Sequence, residues 1–476
     1  MKNKLPTFLA YIVLILIIIL VLFPIFAHAK DITKSSNILI NNSTNAKLTD
    51  GNENSYITIN KGTSIKITND VDIYGVYIIY EMKGVTGRIS NYTREIEIGT
   101  EGYLHEYLDI EKLIGHSKEL ELIYNDTVKI GEIYVLSNGE LPDDIEVWNN
   151  PCKEADLMLL STHSDDEQLF FAGLMPTYVA RGACVQVVYF TNHNDNPKRL
   201  HEQIHGLYKV GIRNYPIIGF IPDAYSTNLN GAMTNMNKAG YKEDDAIKFE
   251  VEMIRRFKPQ VVVGHDELGE YSHGQHILNT YILEKAILLT NDETYDIASK
   301  DKYGLWDTPK TYLHLYKDNK IVLDYDTPLE YFNGKTAYEV SKEGYKEHHS
   351  QQYTWFTKWL TGVNSKGEGT PYKKASEIKA VKSPISGVVS TFSPCEYGLY
   401  RTLVGEDVNK NDMFENLTIR KDQVKEDDKK DNIIETIKEN ITTEENKITL
   451  KIYTLYIFGF ITLIAFLLST IVIVKK

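Results

Sequence analysis

Cysteine is scarce: three residues, Cys152, Cys184 and Cys395, in a chain of 476. Three cannot build a disulfide framework or a four-cysteine zinc site, and they are read as buried apolar side chains. An excess of positive charge is also missing. With 52 basic and 65 acidic residues the formal net charge is −13. That excludes a general nucleic-acid binder, which needs a basic face to meet phosphates. There is no glycine-rich phosphate loop, no Ser-His-Asp elbow, no LPxTG-type sorting motif and no internal repeat.

What is present is globular composition, 42% hydrophobic and 25% charged, in a chain long enough for two or three domains. Two apolar runs stand at its ends. Lys2 and Lys4 precede the run 8–26, which closes on Ala27-His28-Ala29. A charged start, an apolar stretch and a small-x-small pattern make an export signal, or an anchor if it is not cut. The run 453–474 carries no charge and is followed by Lys475 and Lys476. About 20 apolar residues span a bilayer as a helix. Basic residues favour the cytoplasmic side, so both ends lie inside and everything between them is expected on the extracellular face of the cell membrane. The charged stretch 421–446, KDQVKEDDKKDNIIETIKENITTEEN, has no aromatic residue and reads as a solvated stalk.

Between these ends the pattern changes once. Segments 56–60, 64–68, 73–80, 95–98, 120–124 and 131–136 are rich in β-branched and aromatic residues and are separated by turn residues, the pattern of a β-sandwich. The stretch LTDGNENSYITI at 48–59 resembles discoidin-like carbohydrate-binding sandwiches, which leaves sugar binding and a spacer role both open. From residue 155, apolar strands (156–161, 185–191, 216–220 and 261–264) alternate with helical stretches (168–181, 198–210 and 243–257). Such alternation implies an α/β domain with a mainly parallel, Rossmann-like sheet, whose chemistry sits at the carboxyl ends of strands. The expected layout is a signal or anchor (1–29), an all-β sandwich-like domain (30–150), the α/β domain (151–362), an extension packing on it (363–420), a stalk (421–450) and a transmembrane helix with a short cytoplasmic end (451–476).

Two polar clusters follow the apolar strands. Thr162-His163-Ser164-Asp165-Asp166-Glu167 puts an imidazole and two carboxylates at one strand-to-helix turn. A zinc-type ion takes histidine nitrogen and carboxylate oxygen, leaving the second carboxylate free as a base. An aspartate helix cap with chance neighbours gives the same string. The second cluster is His265-Asp266-Glu267, then Tyr271-Ser272-His273-Gly274-Gln275-His276. An HxxH pair opening a helix brings both imidazoles near one face, one for a metal and one for a substrate.

The string THSDDE resembles the AHPDDE signature of the PIG-L/LmbE-like N-acetylglucosamine deacetylases, and GEYSHGQH resembles their GxYGHPDH. Arg199-Leu200-His201-Glu202 is similar to the family's RxxE helix start, and His349-Ser350-Gln351 to its late HxSQ element. The segment 396–417 resembles a tail of larger extracellular members. The resemblance covers about residues 155–360. It implies a metal-dependent amide hydrolase in which His163, Asp166 and His276 bind Zn2+ (another divalent ion would also serve). It implies Asp165 as general base, His273 as oxyanion stabiliser or proton donor to the leaving amine, and Arg199 and Tyr271 as sugar-lining residues. Ser164, Ser272, Gly274 and Gln275 depart from the family's proline, glycine, proline and aspartate. The implied activity is removal of the N-acetyl group from an N-acetylglucosamine-type sugar of a cell-surface glycan or glycolipid. The alternative is a surface carbohydrate-binding or adhesion protein with a lapsed site. A metal phosphoesterase would want more carboxylates for two metals.

The remaining candidates have plainer readings. Glu167 supports the turn or a ligand. His193, His201, His205, His314 and His348 are surface or structural, and His265 is either structural or a support for a ligand. Asp223 binds a sugar hydroxyl or begins a turn. Trp148, Trp306, Trp355 and Trp359 are core, with Trp306 placed where a sugar could stack.

Overall fold

From residue 37 onward, alternation of apolar and polar residues builds two antiparallel sheets. One holds six strands, in the order Ser43–Thr44, Asn37–Ile40, Ser64–Ile73, Ser117–Tyr124, Gly87–Ser90 and Glu95–Ile98; the other holds four, Ile57–Ile59, Val128–Leu136, Gly75–Tyr80 and His105–Asp109. Ile65, Ile67, Leu120 and Leu122 of the first share one buried core with Val76, Ile78, Ile130 and Ile133 of the second. This is a sandwich in which burial every second residue fixes the register. The segment expected as a single strand at 73–80 is divided: Ile73 ends a strand of one sheet and Gly75 begins a strand of the other. The crossing is close, since a Cβ on Gly75 would stand 2.8 Å from the Tyr107 ring.

The computed structural model describes residues 29–378, 381–382, 389–390 and 393–420. The expected signal or anchor, stalk and transmembrane helix lie outside the described residues, apart from Ala29. Among the described residues no helix is long and apolar enough to cross a membrane.

The second domain is α/β. Strands β1 (Leu157–Ser161), β2 (Val185–Tyr189), β3 (Val261–Gly264), β4 (Lys310–His314), β5 (Lys320–Val322) and β6 (Glu396–Thr402) form one sheet in the order β2-β1-β3-β4-β6-β5. The first four run parallel, and β6 is antiparallel to both its neighbours. β1, β2 and β3 are buried at every position, which their unbroken apolar sequences require. The chain moves from β1 outward to β2, then returns across β1 to β3. The carboxyl ends of β1 and β3 therefore flank the topological switch point, where open α/β sheets place their sites.

Several expectations are corrected here. The helix expected at 168–181 is two helices, α1 (Asp166–Leu169) and α2 (Leu174–Ala180), separated at Gly173. Gly173 has φ 93°, and a Cβ there would fall 2.3 Å from the Tyr325 ring; only glycine permits both. The strand expected at 216–220 reduces to a bridge between Ile217 and Val188, followed by the pair Ile221–Pro222. Pro216 lacks the amide a ladder needs, and a Cβ on Gly219 would sit 2.2 Å from the Phe190 carbonyl. The extension is not merely packed on the domain: β6 lies inside its sheet, with Tyr397 and Leu399 buried, so residue 362 is no domain boundary. Cys152 and Cys184 are joined in a disulfide, and Cys395 alone is free and buried. Trp306 faces the core, its Nε1 donating to the Pro259 carbonyl at 2.9 Å, and is not placed to stack a sugar. Of the five histidines read as surface or structural, none is a surface residue; His193, His201, His314 and His348 are buried and His205 is half-buried.

Candidate metal centre

The turn after β1 carries the first cluster, and side chains satisfy four successive amides in it. The Thr162 N–H donates to His265 Nε2 at 3.0 Å, His163 to Asp166 Oδ2 at 2.8 Å, Ser164 to His193 Nε2 at 3.1 Å and Asp165 to Glu167 Oε2 at 2.9 Å. Asp165 has φ 112°, a conformation that costs a non-glycine residue about 1–3 kcal/mol and persists only when its surroundings impose it. The four bonds are that imposition. Glu167 supports the turn, and its Oε1 stands 2.9 Å from His348 Nε2.

The second cluster follows β3. A short 3-10 turn, Glu270–Ser272, leads into helix α6 (Gly274–Leu289), and His273 caps it by accepting the Gln275 N–H on Nδ1 at 3.2 Å. His276 stands in the first turn, fully buried.

The two turns bring three atoms together. His163 Nδ1 lies 3.0 Å from Asp166 Oδ2 and 3.2 Å from His276 Nε2, and His276 Nε2 lies 3.1 Å from Asp166 Oδ2. A triangle of that edge has a point about 2 Å from every corner, the length of zinc–nitrogen and zinc–oxygen bonds. The outer nitrogen of each ring has an acceptor of its own. His276 Nδ1 faces Glu270 Oε2 at 2.7 Å, and His163 Nε2 faces the Gln275 carbonyl oxygen at 3.0 Å. With those outer nitrogens donating, Nδ1 of His163 and Nε2 of His276 can turn lone pairs to a cation held beside the Asp166 oxygen; without a cation they face that oxygen as donors. A metal ion at that point would take one ligand atom from each of the three residues. The sets His163–His273–His276 and Asp166–His265–His276 also bring ligand atoms within 4.8 Å, but the His163–Asp166–His276 triangle is the tightest.

Burial alone would raise the Asp166 carboxyl, but the His276 and His163 imidazoles outweigh it and hold the group well below the usual carboxylate range. Burial would lower His276, yet Asp166 and Glu270 push it up to about 10. Both shifts come from the attraction between the carboxylates and the imidazoles packed against them. Burial pushes Asp165 up to about 7, against the pull of Arg199, whose Nη2 lies 3.2 Å from Asp165 Oδ1. Burial, with His276 and His163 nearby, holds His273 well below the ordinary histidine value. His273 is thus a neutral ring whose Nδ1 is an acceptor and whose Nε2 carries the hydrogen.

Arg199 opens helix α3 (Pro197–Lys209) and also donates to the Ser164 carbonyl at 2.5 Å and to Asp223 at 2.9 Å. Asp223 is therefore an ion-pair partner that stays partly exposed, 3.5 Å from His163 Nε2. Tyr271 packs edge-on against Trp355 at 5.2 Å and His273 at 5.5 Å, and the exposed Tyr225 ring stands 5.2 Å from His273.

All seven predicted site residues gather here. Sequence reasoning missed Glu270, whose carboxylate meets His265 Nδ1 at 2.8 Å and His276 Nδ1 at 2.7 Å on one oxygen, and His314 Nδ1 at 2.7 Å on the other. The available signal was its place beside Tyr271 inside the second cluster. His193, read as surface or structural, takes the structural role and supports the first turn.

Three of the four departures are accounted for by local bonds. Ser164 and Gly274 stand where the family has proline, and each uses the amide proline lacks: Ser164 toward His193, and Gly274 toward the Ser226 carbonyl at 2.8 Å. Gln275 accepts the Ala224 N–H at 2.9 Å and donates to the Pro222 carbonyl at 3.0 Å. Ser272 takes φ 59° without glycine's freedom.

The family model described as PIG-L, GlcNAc-PI de-N-acetylase, matches residues 158–287. A 1D-myo-inositol 2-acetamido-2-deoxy-alpha-D-glucopyranoside deacetylase of Geodermatophilus obscurus is 26% identical over 178 residues, 33% of this chain and 60% of its own length. Its counterpart from Streptomyces griseus is 26% identical over 182 residues, 34% of this chain and 54% of its own length. The chain thus spans somewhat over half the length of the curated relatives it matches. Among solved structures, an N,N'-diacetylchitobiose deacetylase from Pyrococcus horikoshii aligns with 43% of this chain and 73% of its own, at 16% identity and a TM-score of 0.32. Through residues 158–287 the chain is similar to the PIG-L family.

Proposed function

We propose that the protein is a zinc-dependent hydrolase that removes the N-acetyl group from an N-acetylglucosamine-type sugar of a cell-surface glycan or glycolipid. The observation that carries the reading is the convergence of His163 Nδ1, Asp166 Oδ2 and His276 Nε2 within 3.2 Å of one another. Beside them stands Asp165, a carboxylate outside that triangle.

His163, Asp166 and His276 would hold zinc, which when bound acts as a Lewis acid toward water and the amide oxygen. Asp165 takes the proton of the attacking water; a buried carboxyl near 7 is matched to that task at neutral pH. Arg199 orients Asp165 by its 3.2 Å contact. Neutral His273 offers its Nε2–H to the oxygen that gains charge as the amide carbon becomes tetrahedral. The proton held by Asp165 then passes to the departing amine, and acetate leaves. Tyr271 and Tyr225 wall the position of the sugar.

Placement on the outer face of a membrane belongs to the same proposal. It is supported by the Cys152–Cys184 disulfide, a bond that persists in oxidising compartments, and by the apolar ends of the sequence. The named relatives act on acetylated amino sugars, which supports the substrate class.

The test is acetate release by the full-length protein from N-acetylglucosamine oligomers and glycolipids with zinc present, beside Asp165→Asn. The expected loss in the variant is about 10²–10⁴-fold, the contribution of a positioned general base, with zinc still bound. Equal turnover in the variant would remove Asp165 from the reaction. No turnover on any acetylated sugar would overturn the deacetylase reading.

A further inference from the structure

Glu270 is the most heavily shared carboxylate in the described residues around the metal centre. It is fully buried and meets three imidazoles, at 2.7–2.8 Å. Each of these rings has a second partner on its far side. His265 Nε2 accepts the Thr162 N–H at 3.0 Å, so His265 donates to Glu270 through Nδ1. His276 meets Glu270 through Nδ1, which leaves Nε2 facing the centre. His314 faces acceptors on both sides, Glu270 Oε1 at 2.7 Å and the Ser393 carbonyl at 3.0 Å. The ring thus links the Glu270 carboxylate to the Ser393 carbonyl. The alignment with the PIG-L model ends at residue 287, whereas His314 ends β4 and Ser393 precedes β6.

We infer that Glu270 is a positioning residue that sets the affinity of the metal centre through His276, and that His314, braced by the C-terminal extension at Ser393, holds Glu270 for that role. The inference rests on the proposed zinc site. A carboxylate behind a ligating histidine fixes the tautomer and raises the basicity of the ligand atom, and its loss costs about 10–100-fold in metal affinity. Here the carboxylate is itself held by a second histidine from outside the matched segment, so the extension acts on the centre through hydrogen bonds and touches no substrate.

The test is a zinc titration of the full-length protein against a competing chromophoric chelator, a readout independent of turnover. Glu270→Gln is expected to raise the zinc Kd about 10–100-fold. His314→Asn is expected to raise it as well. The double variant should bind zinc no worse than Glu270→Gln alone, because His314 works only through the carboxylate. Melting curves of the zinc-free proteins report folding. Should Glu270→Gln not fold, His314→Asn is read by itself against wild type. An unchanged Kd in a folded variant overturns the inference and leaves the zinc site standing. Losses that add in the double variant overturn it too, since His314 would then act independently. A wild type that binds no zinc overturns both this inference and the proposed function.

Discussion

Gly274 shows how one residue can decide the shape of this site. Its amide donates to the Ser226 carbonyl, and a Cβ there would lie 2.6 Å from the Asn228 carbonyl oxygen. The family's proline at this position would remove the bond and meet the 226–228 segment. Gly274→Pro is therefore expected to destabilise the fold by about 1 kcal/mol, the net worth of the lost hydrogen bond, seen as a lower urea midpoint. An unchanged midpoint would show that the segment yields freely. The ligand candidates were legible in the sequence because they sit in two short strings beside buried strands. Glu270 and His314 were not, because what makes them important is a meeting between positions 44 residues apart. No local spacing records such a meeting.

Helix α3 joins two scales, since it begins at Arg199 in the site and ends against the sandwich. His205 on this helix stands between Glu146 Oε1 at 2.6 Å and Glu53 Oε2 at 2.9 Å, and His105 of the sandwich bridges Glu146 Oε2 at 3.0 Å and His201 Nδ1 at 2.9 Å. Ligand atoms of Glu53, His105 and His205 come within 4.8 Å of one another. Yet each nitrogen of His205 has its own carboxylate, so protons alone satisfy it. Burial would lower His205, but Glu146 and Glu53 hold it well above the ordinary value of 6.5. Burial would raise the two glutamates, but His205 brings Glu53 down to about 2 and, with His105, depresses Glu146 strongly.

The raised histidine contributes fully below 6.5 and loses its contribution as pH rises through its folded value. The depressed carboxyls contribute above about 4.5 and lose theirs as pH falls toward their folded values. All three act together between about 4.5 and 6.5. The melting temperature is expected to be highest there and to decline on both sides, and His205→Gln should flatten the alkaline decline. Parallel alkaline limbs for variant and wild type would contradict this. The helices 198–210 and 243–257 were readable from their periodicity and lie within a residue of the observed bounds. The interface was not readable, because its members come from a loop, a strand, a linker and a helix spread over residues 53–205.

At the scale of the molecule, the extension is the element whose role the sequence concealed. Its stretch 396–402 reads as an ordinary short strand, and only the completed sheet shows it lodged between β4 and β5. The disulfide was likewise hidden by counting cysteines, which measures their number and not their proximity: Cys152 and Cys184 stand before β1 and β2, which are neighbours. Titration of the unfolded, unreduced protein with a thiol reagent is expected to find one free thiol per chain, that of Cys395. Three would remove the disulfide and with it a support for the outer-face placement. The central claim is that the triangle of His163, Asp166 and His276 makes this chain a metal hydrolase of acetylated amino sugars. It is tested most directly by stripping the full-length protein with a chelator and following acetate release from N-acetylglucosamine oligomers and glycolipids as zinc is returned. The account predicts that turnover is lost on stripping and returns in proportion to bound zinc, reaching its plateau near one ion per chain. Turnover that survives stripping, or a protein that binds one zinc and releases no acetate from any of these sugars, would contradict it.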